Sequence, residues 1–144
     1  VRKSIGFVDS ESRSFYWRLN GYENLKFFAA LYNLSNNIIE KRVKYLIDYF
    51  ELRSVINQPV GEYSSGMKQR LSIIRSVLHD PDVLLFDEPN KSLDRRMAVK
   101  LIEFIKGELL KKDKTVLYVT HNQREIGKIA HRVIKLKNED TGVY

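Results

Sequence analysis

An α/β fold, built on a parallel sheet with a block of helices inserted after its first strand, is what this sequence predicts. Three observations point there. Helical periodicity is concentrated between residues 22 and 79. From 82 to 137 the pattern reads strand, helix, strand, helix, strand, the order of successive βα units, which implies parallel strands. Within that stretch Val83–Phe86 is a continuous apolar run, the pattern of a strand covered on both faces.

Each element follows in order. Lys3–Val8 reads as a short buried strand. Ser10–Gly21 is polar around an aromatic cluster of Phe15, Tyr16 and Trp17, and reads as an ordered loop. Tyr22–Leu34 is helical, with Leu25, Phe28, Ala29 and Tyr32 at i, i+3, i+4 and i+7. Asn36 or Asn37 is the expected cap of a second helix, whose buried stripe is Ile39, Val43, Leu46, Ile47 and Phe50. Pro59 and Gly61 break the pattern across Asn57–Glu62. Ser64 or Ser65 then caps a third helix that runs to about Leu78. After the strand at Val83–Phe86, Arg95–Lys112 reads as one long helix with Ala98, Leu101, Ile102, Ile105 and Leu109 inward. Lys114–Thr120 is the next strand, Asn122–Ala130 a short helix and His131–Lys137 the last strand.

Composition narrows the function classes. The chain has 144 residues and 43% hydrophobic content, enough for one domain or a large part of one. It has no cysteine, so neither a disulfide framework nor a thiolate metal site is available. His79, His121 and His131 lack zinc-type spacing. No run approaches the roughly 20 apolar residues of a membrane span. Residues 1–10 lack the apolar core of a signal peptide, and the absent initiator Met suggests a chain cut from something longer. The net charge of +7 admits an anionic partner. Because the basic residues are scattered along helices, solvated helix faces are the first reading and a membrane surface the second.

Two stretches carry chemistry. Gly61–Gln69, "GEYSSGMKQ", comes close to the P-loop pattern G-x-x-x-x-G-K-[ST], but Met67 intervenes before Lys68, and Gln69 stands where the Mg²⁺-binding hydroxyl belongs. It is not a P-loop, and no other segment fits one. Its chemistry still suits an anion, because Ser64, Ser65 and Gly66 stand at a helix N-terminus with unpaired N–H groups. The second stretch is "VLLFDEP". Asp87 and Glu88 end a buried strand, where open α/β sheets place ligands. An Asp there can hold Mg²⁺, and the adjacent Glu can accept a proton from an attacking water. His121 ends the next strand, at the same edge of the sheet.

Together these motifs resemble the ATP-binding subunit of ABC transporters, over nearly the whole length. "YSSGMKQRL" is similar to the family's signature motif, most often LSGGQ, with Ser64, Ser65, Gly66 and Met67 at its core. Val83–Glu88 resembles Walker B with the catalytic glutamate, Ser92–Asp94 the D-loop and His121 the switch histidine. The resemblance implies a P-loop NTPase-type parallel sheet with a helical ABC-type subdomain. It also implies ATP and Mg²⁺ as ligands. Glu88 and His121 would be catalytic, Asp87 would hold the metal, and Ser64, Ser65, Gly66, Met67 and Asp94 would serve the nucleotide and the dimer interface. The implied partners are a second ATP-binding subunit, packed head to tail, and a transmembrane permease at the cytoplasmic face of the membrane. The direction implied is export, from the GMKQRL ending. The implied segments are 1–21, a strand and Q-loop-like stretch; 22–80, the helical subdomain with the signature; and 81–144, Walker B to the C-terminal core. The P-loop and the adenine-stacking aromatic would lie upstream of Val1.

One departure concerns the glutamine that family members carry soon after the first strand. Here Asp9–Ser12 occupies the region, with Ser10 or Glu11 in its place. The following Phe15, Tyr16 and Trp17 suit a contact patch for a partner helix. A non-transport ABC ATPase acting on nucleic acid or the ribosome, and a non-catalytic remnant, are the alternatives.

Overall fold

The structure is a computed structural model that describes residues 4–8 and 15–136. Three strands, β1 (Ile5–Val8), β2 (Val83–Asp87) and β3 (Thr115–Val119), form one sheet in that order. Both pairings are parallel, with Phe7 opposite Leu85 and Leu85 opposite Leu117. Among the described residues five α-helices accompany them: α1 (Gly21–Leu31), α2 (Asn36–Tyr49), α3 (Ser65–Val77), α4 (Arg95–Phe104) and α5 (Gln123–Ile129). The first three lie between β1 and β2, as the periodicity predicts.

Local sequence explains the helix starts. Asn20 and Glu23 close a reciprocal capping box at α1. Ser64 caps α3 and Asp94 caps α4. At α2 the cap is Ser35, not Asn36 or Asn37, and its side chain makes no capping bond. That helix is held instead by its apolar stripe, since Ile39, Val43, Leu46, Ile47 and Phe50 are all buried. The helix expected over Arg95–Lys112 changes pitch, with a π-helical turn at Ile105–Leu109 and a 3₁₀ turn at Leu110–Lys112.

The sheet is covered on one side. Val8, Leu84 and Phe86 point into the core with Leu71, Ile74 and Leu101. The opposite rows are open: Phe7 is 49% exposed, Leu117 54% and Val119 48%. The expectation of a β2 covered on both faces is therefore corrected, since Val83 and Leu85 are only half-buried. A parallel β–α–β crossover is right-handed. Two successive crossovers stepping the same way, β1 to β2 to β3, stack their helices on one face. The expected last strand at 131–137 is also corrected. Residues 131–136 form no strand, and Val133, Ile134 and Leu136 are exposed. An apolar run becomes a strand only beside a partner that takes its hydrogen bonds, and among the described residues none lies alongside. The Asp9–Ser12 reading lies outside the described residues.

Candidate functional site

The first group of candidate residues is the N-terminus of α3. Ser64 is extended (φ −61°, ψ 163°), and its hydroxyl accepts from the Met67 N–H. Ser64 and Ser65 are exposed, while Gly66 and Met67 are half-buried. Ser64, Ser65, Gly66, Arg70, Ser92, Leu93, Asp94 and Met97 line one polar pocket. The "SLD" loop thus forms the wall opposite the serines. The walls are close: a Cβ on Gly66 would stand 2.8 Å from the Ser92 carbonyl oxygen, so only glycine fits without movement. Asp94 has a structural duty of its own, accepting from the Met97 N–H at 2.8 Å as the cap of α4.

The second group stands at the C-terminal ends of β2 and β3. Asp87 closes β2 opposite Val119, in the row that belongs to the open face. Glu88 follows in the left-handed region (φ 45°), where a non-glycine residue is uncommon. Its own N–H donates to Val119 O. That turn carries the carboxylate across to His121. Glu88 Oε1 accepts from the His121 backbone N–H at 2.9 Å and lies 2.7 Å from His121 Nδ1. A carboxylate only accepts, so Nδ1 carries the proton, and Nε2 points away on a ring that is 89% exposed. Among the described residues, no donor is placed on Oε2 of Glu88. The structure thus brings together Glu88 and His121, which lie 33 residues apart.

Sequence reasoning missed the residues that hold these groups in place. Gln69, buried on α3, donates to the Pro89 carbonyl at 3.1 Å and links the two groups. Asn90 donates to the Tyr118 hydroxyl, which donates to Glu125 on α5. Thr120 also donates to Glu125. Burial and the neighbouring Glu125 carboxylate push the Tyr118 phenol well above its usual range, so it stays a donor. No spacing rule predicts these contacts, because each joins separate elements.

The donor set fits a phosphate better than a caged metal. No cluster of three metal-ligating side chains occurs among the described residues. Asp87 offers one half-buried carboxylate at a strand end. Mg²⁺ is commonly held by one or two carboxylates together with substrate phosphates and waters, and Asp87 suits that mode. The aromatic loop beside α1 is built against the signature helix. The Trp17 carbonyl accepts from the Gly61 N–H, and the Lys68 ammonium lies 5.0 Å above the Trp17 ring. Tyr16 and Trp17 are more than half of the way out to solvent on average, at 50% and 58%.

Comparison with known proteins gives consistent matches. The family model described as "ABC transporter" matches residues 1–91. The chain is 35% identical over 136 residues to the ABC transporter ATP-binding protein NatA of Bacillus subtilis, covering 94% of this chain and 55% of that protein. It is 34% identical over 120 residues to the teichoic acids export ATP-binding protein TagH of Shouchella clausii, covering 83% and 33%. It is 35% identical over 149 residues to the O-antigen export system ATP-binding protein RfbB of Klebsiella pneumoniae, covering 96% and 59%. The chain thus spans between a third and three-fifths of the length of these relatives.

Proposed function

Because the chain belongs to the ABC transporter family, we propose that it supplies the signature and hydrolytic half of an ATP site that powers a membrane permease. Export is the favoured direction, supported by the GMKQRL ending and by the export systems among the relatives. The whole protein acts at the cytoplasmic face of the membrane, bound through its permease.

The observation that carries this reading is the Glu88–His121 pair. One oxygen of Glu88 is occupied by both His121 donors, which fixes the plane of the carboxylate. The other oxygen can take the proton of a water attacking the γ-phosphate. His121 Nε2, held outward by that same contact, would touch the phosphate. Asp87 would hold Mg²⁺, whose charge offsets that of the phosphates. Ser64, Ser65 and Gly66 present the α3 N-terminus to the γ-phosphate on a partner subunit in a head-to-tail dimer. Met67 extends that surface, and Asp94 fixes the facing wall.

These 144 residues contain no P-loop, the motif whose lysine and amides grip the β- and γ-phosphates. Alone, the 144 residues should not hydrolyse ATP.

Gly66→Asp in the full-length protein tests the trans assignment. A carboxylate at this position repels phosphate, and its Cβ meets the Ser92 carbonyl. ATP affinity of the monomer, read by fluorescence, should hold, while ATP-driven dimerisation, read by light scattering, should fail. A loss of monomer affinity beyond about tenfold, about 1.4 kcal/mol, would place the motif in its own subunit's site.

A further inference from the structure

Glu51 lies outside both groups of candidate residues, yet three structural features converge on it. It is the second residue past the end of α2, and its backbone is left-handed (φ 55°). Glycine takes that conformation without steric cost, whereas a side chain there is strained. What glutamate adds is its carboxylate, which α4 uses fully. Arg96 grips both oxygens, and Lys100 Nζ donates to Oε1 at 2.9 Å. Arg96 stands two residues after Asp94, the cap that forms one wall of the polar pocket.

The backbone of the same residue faces the other wall. Arg70 Nη1 donates to the Phe50 and Glu51 carbonyls, both at 3.1 Å, and Arg70 Nε reaches the Gly66 carbonyl at 3.4 Å. A guanidinium against the last carbonyls of α2 is favoured by the helix dipole. Arg70 therefore ties the first turn of α3 to the end of α2, and Glu51 ties that end to the first turns of α4. Tyr49 adds to the α2–α4 joint, its hydroxyl donating to the Lys100 carbonyl.

We propose that Glu51 is a positioning residue for the trans phosphate site, acting through Arg96, Lys100 and Arg70 to hold the Ser64–Gly66 and Ser92–Asp94 walls at one separation. The proposal rests on the function proposed above. It deepens that reading by naming what sets the width of the surface offered to a partner's nucleotide. Glu51 touches no nucleotide itself. Its loss leaves the fold and the subunit's own ATP affinity intact, and weakens only the step in which two walls must engage one phosphate group together.

The test compares Glu51→Gly, Glu51→Asp and Gly66→Asp in the full-length protein. Glu51→Gly frees the backbone and removes the carboxylate. Surface ion pairs contribute little to stability, and relief of strain offsets part of that. Its thermal midpoint and monomer ATP affinity should match wild type, while the protein concentration needed for ATP-driven dimerisation rises about tenfold. Glu51→Asp keeps the charge and should recover part of the loss. Gly66→Asp is the control for the underlying reading. If Gly66→Asp fails to dimerise and Glu51→Gly dimerises as wild type does, the positioning role falls and the trans site stands. If Gly66→Asp dimerises normally, both fall. If Glu51→Gly loses thermal stability in proportion to dimerisation, Glu51 is a fold residue and the positioning role falls.

Discussion

Glu88 and His121 show how a single backbone angle turns two strand-end residues into one chemical unit. The positive φ at Glu88 sends the carboxylate towards β3, where it takes both His121 donors. Glu88→Gln keeps the shape and removes the ability to accept a proton. In the full-length protein ATP binding should survive and steady-state turnover should fall about 100-fold or more, the scale of lost general-base catalysis. Turnover at the wild-type rate would remove Glu88 from that role. Both residues were legible in the sequence, as a DE pair after an apolar run and as a His closing the next one. Their contact was not, because no pattern announces a left-handed residue that is not glycine. Gln69 and Asn90 were illegible for a different reason: their hydrogen-bond partners, Pro89 and Tyr118, lie 20 and 28 residues away. Distance along the chain carries no signal of that kind.

Among the elements, α3 and α4 are the pair that shape the polar pocket, and each begins on a side chain with two duties. Ser64 caps α3 while lining the pocket, and Asp94 does the same for α4. Ser64→Ala should therefore cost about 1 kcal/mol of stability, the usual loss at an N-cap. Thermal or urea unfolding checks this. A variant unfolding at the wild-type midpoint would show that the hydroxyl is not needed for the helix start. Helix existence, the buried stripe of α2 and a cap at Ser64 or Ser65 were all readable, because periodicity and cap chemistry are local. The change of pitch after Phe104 was not, since the residues from Ile105 to Leu109 keep the apolar spacing of an ordinary helix. At α2 Asn36 or Asn37 was the expected cap, yet the cap is Ser35. Its start follows the burial of Ile39 and Val43 rather than the strongest capping side chain.

At the scale of the whole molecule, the order of strands and helices was legible and the depth of burial was not. Alternation of βα units predicts a parallel sheet but does not say how many faces it covers. An apolar run such as Val83–Phe86 asks for two layers, and the described residues provide one. Val133, Ile134 and Leu136 likewise stay in solvent. For anyone handling these 144 residues alone, that bare sheet makes concentration the controlling variable. Ile5, Phe7, Leu117 and Val119 form an apolar field beside the edge of β3, which is unpaired among the described residues, a combination that invites chains to stack and zip together. Static light scattering should show apparent mass climbing as the solution is concentrated. Leu117→Lys with Val119→Lys, two like charges planted on that surface, should flatten the climb while leaving circular dichroism unchanged. A mass that stays constant with concentration in the unmodified chain would show that the sheet is tolerably wetted as it stands.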